Sequence, residues 1–92
     1  MRACDAAVAV LRETKNPAVM WGDSGLLHLI AERAGLRTQD RSWKTEDAVL
    51  RCLSRQPGDL VSGTTVTGNG RRVRCFWLPE HCPARLRPHG SP

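Results

Sequence analysis

In "TTVTGNGRRVRCFW", residues 64–77, two β-prone runs flank Asn69-Gly70. Valine, threonine and aromatic residues favour strands, and Asn-Gly is the strongest short signal for a tight hairpin turn. With this dipeptide in the two central positions of a type I′ turn, Val66 is expected opposite Val73. The sequence therefore predicts a β-hairpin near the end of the chain.

The predicted register gives the hairpin two different ends. Cross-strand partners point to the same face of a sheet, so Arg72 and Arg74 are expected to share one face with Thr65 and Thr67. Away from the turn both faces are apolar, with Val61, Phe76, Trp77 and Leu78. The base is therefore expected to pack inside the domain while the tip projects from it. The tip arginines then either contact a partner or simply meet water.

Three stretches before the hairpin place apolar residues at helical spacing. The predicted helices are residues 5–14, 24–34 and 45–56. A short extended run at residues 18–21 separates the first two and is expected to form an edge strand. Thr45 suits the N-cap of the third helix, because its hydroxyl can accept a hydrogen bond from an unpaired backbone N–H. Pro57-Gly58 ends that helix.

Length and composition indicate one domain. The chain has 92 residues, 40% hydrophobic and 25% charged, which is close to a globular average. From Pro79 onwards, four prolines in fourteen residues disfavour regular structure. We therefore expect a folded domain over residues 1–79 and a flexible tail, containing proline and arginine, over residues 80–92. The predicted fold class is α+β, with a three-helix core and a C-terminal β-hairpin.

The charge is positive and unevenly distributed. The formal net charge is +5, and residues 47–92 carry seven basic but only three acidic side chains. Such a skew favours a polyanionic partner, with nucleic acid first and an acidic protein or membrane surface behind it. The twelve arginines against two lysines are also what a GC-rich genome would give.

The cysteines and the apolar runs bear on location. No signal peptide precedes the four cysteines, and no apolar run approaches the ~20 residues of a membrane span. We therefore expect an intracellular protein with reduced thiols and no membrane partner. Its compartment would be the nucleus in a eukaryote and the cytoplasm in a bacterium or phage.

Metal binding and catalysis have weak signals. Cys75, His81, Cys82 and His89 include zinc-type ligands, but their spacing differs from the gaps of known zinc sites. No histidine stands at a motif spacing that would activate a cysteine or serine nucleophile. The glycines of residues 63–70 are followed by a strand, whereas a phosphate-binding loop leads into a helix. We therefore expect no cofactor and no enzymatic activity.

The order helix, short strand, helix, polar turn, helix, hairpin resembles the winged helix-turn-helix superfamily over residues 3–79. The resemblance implies that the third helix enters the major groove of DNA and that the hairpin, the wing, contacts the backbone or the minor groove. Many winged helices bind proteins instead, so the fold alone does not decide the function.

The resemblance implies a set of DNA-contacting residues. Arg51 is the candidate for base edges, because its guanidinium can satisfy O6 and N7 of guanine together. The candidates for positioning contacts around the third helix are Arg41, Ser42, Lys44, Thr45 and Arg55. The candidates at the hairpin tip are Asn69, Arg71, Arg72 and Arg74. Asp40, Glu46 and Asp47 are expected to stabilise the start of the helix, and Trp43 either closes the core or anchors a partner.

Two functions therefore stand side by side. The first is a non-enzymatic DNA-binding module, related to transcription or chromatin, with helix 45–56 in the major groove and hairpin tip 69–74 on the backbone or minor groove. The second is a protein-interaction module that uses exposed tryptophans, Trp21 and Trp43, or an apolar hairpin face of Val66, Val73 and Trp77. Reading a palindromic site would need a dimer, and the sequence contains no coiled coil to provide one.

Overall fold

The computed structural model describes residues 2–36 and 43–86. Its elements are α1 (Ala3–Glu13), β1 (Ala18–Met20), α2 (Ser24–Arg33), α3 (Trp43–Arg55), β2 (Val61–Val66) and β3 (Arg72–Trp77), followed by 3-10 turns at Pro79–His81 and Ala84–Leu86. The three strands form one antiparallel sheet in the order β1-β3-β2. The α+β class, the three helices and the C-terminal hairpin are confirmed, in a winged-helix-like arrangement.

The helices bury the apolar stripes that their spacing predicts. In α1 the buried side chains are Cys4, Ala6, Ala7, Val10 and Leu11, and in α2 they are Leu27, Ile30 and Ala31. In α3 Val49 and Leu53 are fully buried, and Leu50 is 8% exposed. These side chains form one core with Phe76 and Val19 of the sheet.

The third helix starts earlier than its sequence suggests. It begins at Trp43, so Thr45 lies within its first turn and not at the cap. The side chain of Thr45 is 1% exposed, which places it on the buried face of the helix. Thr45 is therefore part of the packing between α3 and the core, and the prediction that it caps the helix is wrong.

The hairpin register differs from the predicted one by one residue. Val66 lies opposite Arg72 and Thr65 lies opposite Val73. The Thr67 N–H donates to the Arg71 carbonyl at 2.8 Å, and the Gly70 N–H donates to the Thr67 carbonyl at 2.9 Å. The loop therefore has three residues and ends on a left-handed glycine, a turn with a bulge in place of the two-residue type I′ turn.

The one-residue shift moves every β2 side chain to the opposite face. Arg72 and Arg74 therefore share their face with Thr64 and Val66, and the expected face with Thr65 and Thr67 is wrong. On β3 the alternation is as predicted, with Phe76 on the same face as the two arginines. Phe76 packs against the helices, so the arginines continue the helix-facing side of the sheet beyond the core.

Gly70 is expected to set this register, because its φ of +81° lies in the left-handed region that L side chains rarely adopt. Gly70→Ala should lower the free energy of unfolding by about 1–2 kcal/mol, since the alanine Cβ strains that conformation. Urea unfolding measures the change. Gly68→Ala is the matched control, since Gly68 has no positive φ and no atom within 4 Å of an added Cβ. Equal losses in the two variants would contradict this origin of the register.

The outer face of the sheet is covered by the segment after β3. Cys75 and Trp77 form a second small core with Cys82, whose side chain is 4% exposed. Glu80 also accepts from the Nε of Arg12 in α1 at 3.4 Å. The segment from residue 80 to 86 therefore contacts the sheet, where Cys82 shields the outward apolar face. Residues 87–92 lie outside the described part.

The described residues contain no helix that combines the length and the apolar character needed to cross a membrane.

Candidate nucleic-acid interface

The hairpin tip, residues 69–74, carries three exposed arginines: Arg71, Arg72 and Arg74. The hairpin as a whole, residues 61–78, contains no aspartate or glutamate. The ion pairs among the described residues are Arg2–Asp5, Arg12–Glu80, Arg33–Glu13 and Arg51–Asp47. None of them involves a tip arginine, so the part of the chain that the structure describes supplies no carboxylate to neutralise the charge of the tip.

Strand pairing brings Trp21 to the tip. The backbone N–H of Trp21 donates to the backbone carbonyl of Arg74 at 3.4 Å, which extends the β1–β3 ladder by one residue. The guanidinium carbon of Arg71 lies 5.4 Å from the centre of the Trp21 ring. This is a cation–π contact, worth about 0.5–1 kcal/mol at an exposed site. Trp21 remains 44% exposed, so the tip combines an aromatic ring with uncompensated positive charge.

Hydrogen bonds within the hairpin fix the conformation of the tip. The Arg74 guanidinium donates to the Ser62 hydroxyl at 3.1 Å. The Thr67 hydroxyl donates to the side-chain oxygen of Asn69 and accepts from the Arg71 N–H at 3.2 Å. Asn69 is exposed, but its carbonyl oxygen is engaged inside the loop. The loop backbone is therefore fixed before any partner arrives, which lowers the entropic cost of binding.

The exposed side of α3 is electrically mixed. Arg51 has 72% of its side chain exposed, and its Nε lies 2.9 Å from a carboxylate oxygen of Asp47 one turn earlier. Arg55 is exposed near the end of the helix. Glu46 accepts a hydrogen bond at 2.9 Å from the Ser24 hydroxyl at the start of α2. The expected structural role of Glu46 is consistent with this bond, because the bond ties the carboxylate to the neighbouring helix.

The remaining predicted contacts around α3 divide into two groups. Thr45 is buried, and a buried hydroxyl does not reach a phosphate, so its assignment as a DNA contact is not supported by its position. Arg41, Ser42 and Asp40 lie outside the described residues, as do the side chains of Trp43 and Lys44. The described candidates are therefore Arg51 and Arg55 on α3 and the four residues of the hairpin tip.

Two features of this surface join residues that are far apart in the sequence. Trp21 is fifty positions before Arg71 and reaches the tip only through the pairing of β1 with β3. Arg85 donates to the backbone carbonyl of Thr64 at 3.1 Å. The sequence signal that could have indicated the first is the short extended run at residues 18–21. Nothing in the sequence indicates the second, because it depends on the folded segment after Pro79.

The Cys75 thiol is buried in the small core with Trp77 and Cys82. Burial raises the pKa of the Cys75 thiol to about 11, with a smaller contribution from the nearby Asp23 carboxylate. The thiol is therefore protonated at neutral pH and a poor nucleophile or metal ligand. Among residues 2–36 and 43–86, no group of three or more histidine, cysteine, aspartate or glutamate side chains is placed to hold a metal ion.

Comparison of the chain with protein-family models, curated proteins and solved structures gives no match. The likeness to a winged helix therefore consists of the order and packing of three helices and a three-stranded antiparallel sheet.

Proposed function

We propose that this chain is a non-enzymatic DNA-binding module, related to transcription or chromatin, whose hairpin tip contacts the backbone or minor groove of duplex DNA. The observation that carries the proposal is the set of three exposed arginines at the tip, for which residues 2–36 and 43–86 supply no carboxylate partner. Arginine donates in a fixed fork to phosphate oxygens. A solvent-facing arginine that is not yet paired gives up less on binding a phosphate than one already held by a carboxylate.

Three arginines outside the hairpin differ from those at the tip because they are already paired. Arg2, Arg12 and Arg33 each bond a carboxylate, that of Asp5, Glu80 and Glu13 respectively. The tip is therefore the place where a polyanion is expected to gain most, and its two strands present the arginines on a rigid hairpin instead of a mobile loop.

In the same proposal the exposed side of α3 enters the major groove, with Arg51 toward a base edge and Arg55 toward a phosphate. Arg51 would exchange its bond with Asp47 for one to guanine. An exposed ion pair contributes about 0.2–1 kcal/mol, so breaking the Arg51–Asp47 pair costs little free energy.

Removing the competing carboxylate should therefore strengthen binding. Asp47→Asn is expected to tighten binding to a duplex by about two- to fivefold, because it releases Arg51 and removes a negative charge that faces phosphates. Fluorescence anisotropy with a labelled duplex measures the affinity. Glu13→Gln is the matched control. It makes the same change of charge at the end of α1, in a carboxylate that is paired with Arg33 of α2. An equal gain in both variants would mean that only the net charge matters and that α3 is not at the interface.

The activity itself is tested by titrating the protein into labelled duplex DNA, single-stranded DNA and RNA at two salt concentrations. We expect duplex binding that weakens as salt rises, because each phosphate contact releases bound counterions. Duplex binding that already fails at 50–100 mM salt would contradict the proposal and favour a protein partner.

The protein-interaction alternative loses part of its surface. It relied on an apolar hairpin face of Val66, Val73 and Trp77, but Val73 is 8% and Trp77 9% exposed. Val66 is 61% exposed and lies on the opposite face, beside Arg72. The described apolar groups left for a partner near the tip are Trp21 and Val66, a small area that arginines surround.

A further inference from the structure

The two edges of the sheet differ in how well their outward backbone groups are protected. Because β3 lies in the middle, β1 and β2 are both edge strands, and an edge strand presents unpaired backbone N–H and C=O groups. Such a row of groups is a template for another strand unless the protein blocks it. The edge at β2 is the longer one, with six residues against three in β1.

The hairpin geometry decides which groups of β2 point outward. The Thr67 N–H bonds the Arg71 carbonyl, so residues 67 and 71 form a hydrogen-bonded pair. Such pairs alternate along an antiparallel ladder. The backbone groups of residues 61, 63 and 65 therefore face β3, whereas those of Ser62, Thr64 and Val66 point away from the sheet.

At the β1 edge, the outward N–H of Met20 donates to the Asp23 carboxylate at 3.3 Å. The chain then turns away at Gly22, which has a φ of +100°. A charged side chain and a turn thus close this short edge, as is common for protected edge strands.

At the β2 edge, the described residues supply a single partner. The Arg85 guanidinium donates to the Thr64 carbonyl at 3.1 Å. The outward backbone groups of Ser62 and Val66 have no hydrogen-bond partner in the described part of the chain. The strand, Val-Ser-Gly-Thr-Thr-Val, also contains no charged residue and no proline that would repel a second strand.

We propose that this edge pairs with the same edge of a second copy of the chain, as an antiparallel β2–β2 contact centred on Thr64. The outward residues 62, 64 and 66 are spaced symmetrically about Thr64. A two-fold axis through that residue sets Thr64 opposite its own copy and Ser62 opposite Val66 of the second copy. The pairing makes about six backbone hydrogen bonds and one continuous six-stranded sheet.

Self-pairing is favoured because the edge is complementary to itself. No like charges meet across the axis, since β2 is uncharged. Arg74, which lies opposite Thr64, would be three strand spacings from Arg74 of the second copy, about 14 Å. That separation exceeds the screening length of about 8 Å at physiological ionic strength. The arginines therefore oppose the dimer only weakly.

A two-fold axis perpendicular to the sheet keeps each face on its own side. The tip arginines of both copies then lie on one face of the joined sheet, at opposite ends of it. The pairing thus provides the dimer that reading two DNA half-sites requires. The dimer contact itself does not depend on DNA and is tested without it.

Arg85 opposes this pairing, because its bond to the Thr64 carbonyl must be released before a second strand can use that oxygen. An exposed hydrogen bond of this kind is worth about 0.5–1.5 kcal/mol. Arg85→Ala is therefore expected to tighten the dimer by about two- to tenfold. The segment after β3 then acts as a removable cover on the edge.

Sedimentation equilibrium over a range of protein concentrations tests the proposal. The wild type should show a reversible monomer–dimer equilibrium. Thr64→Pro should remain monomeric yet folded, because proline removes an outward N–H and no bond of the hairpin. Thr64→Val is the control: it keeps the N–H and should dimerise like the wild type. Circular dichroism and thermal melting establish that each variant is folded.

If Thr64→Pro does not fold, Thr64→Lys replaces it, since the substitution keeps the backbone and sets two like charges against each other on the axis. A wild type that sediments as a monomer up to its solubility limit would overturn the proposal. So would a folded Thr64→Pro or Thr64→Lys variant that dimerises as tightly as the wild type. An unchanged dimer in Arg85→Ala would overturn the role of Arg85.

Discussion

Replacing Arg71, Arg72 and Arg74 together with alanine is expected to weaken duplex binding by about two orders of magnitude near 0.1 M salt. Each phosphate contact adds about 0.9 to the slope of log affinity against log salt, so three lost contacts should lower that slope by about 2.7. The loss in affinity should therefore be large at low salt and small at high salt. Anisotropy titrations at several salt concentrations measure both quantities.

The control for this triple variant removes the same charge elsewhere. Replacing Arg2, Arg12 and Arg33 with alanine also takes three charges from the net +5, but these arginines lie outside the hairpin and are each paired with a carboxylate. This variant should lose much less affinity and keep most of the salt slope. If the two triple variants lose affinity equally, the protein binds through its overall charge and the tip is not a site.

Phe76→Ala is expected to lower the free energy of unfolding by about 3–5 kcal/mol. Phe76 is fully buried and is the largest of the fully buried side chains. It lies opposite Val19 in the sheet and packs against the helices, so its removal leaves a cavity at the centre of the core. Since the free energy of unfolding of a domain is only about 5–15 kcal/mol, this substitution would remove a large part of it.

Urea unfolding measures this change, and Arg74→Ala is its control. Arg74 lies two residues earlier in the same strand and on the same face, but it is exposed, so the loss should stay within about 0.5 kcal/mol. A small loss for Phe76→Ala would contradict the alternation that separates the core from the tip.

The sequence predicts the helices well because their periodic stripes are local. Val10 and Leu11 in α1, and Leu27 and Ile30 in α2, are buried as their spacing indicates. The short edge strand at residues 18–21 is also confirmed, as β1. The start of α3 differs by two residues, because Thr45 packs into the core instead of capping the helix.

The hairpin is predicted, but its register is not. Asn69-Gly70 fits a two-residue turn as well as a three-residue loop, and the two differ by one residue in pairing. In the structure, Gly70 takes the left-handed position and the Thr67 side chain completes the loop. The choice between these loops depends on such side-chain bonds and on packing of Phe76 at the base, neither of which a residue pattern contains.

The sequence predicts the exposed arginines of the candidate site but not the residues that contact them. The exposure of Arg72 and Arg74 follows from alternation along β3, which is local. The contact of Arg71 with Trp21 and the bond from Arg85 to Thr64 link residues that are distant in the chain. Only the three-dimensional arrangement of β1 and of the segment after β3 brings them together.

Nuclear magnetic resonance can test residue by residue whether duplex DNA contacts the hairpin tip. Adding a duplex to the ¹⁵N-labelled protein should shift the amide signals of residues 68–74 and of the exposed side of α3 most strongly. The signals of α2 residues such as Leu29 and Glu32 should change little. Shifts concentrated on α1 and α2, or no shifts at low salt, would contradict the account.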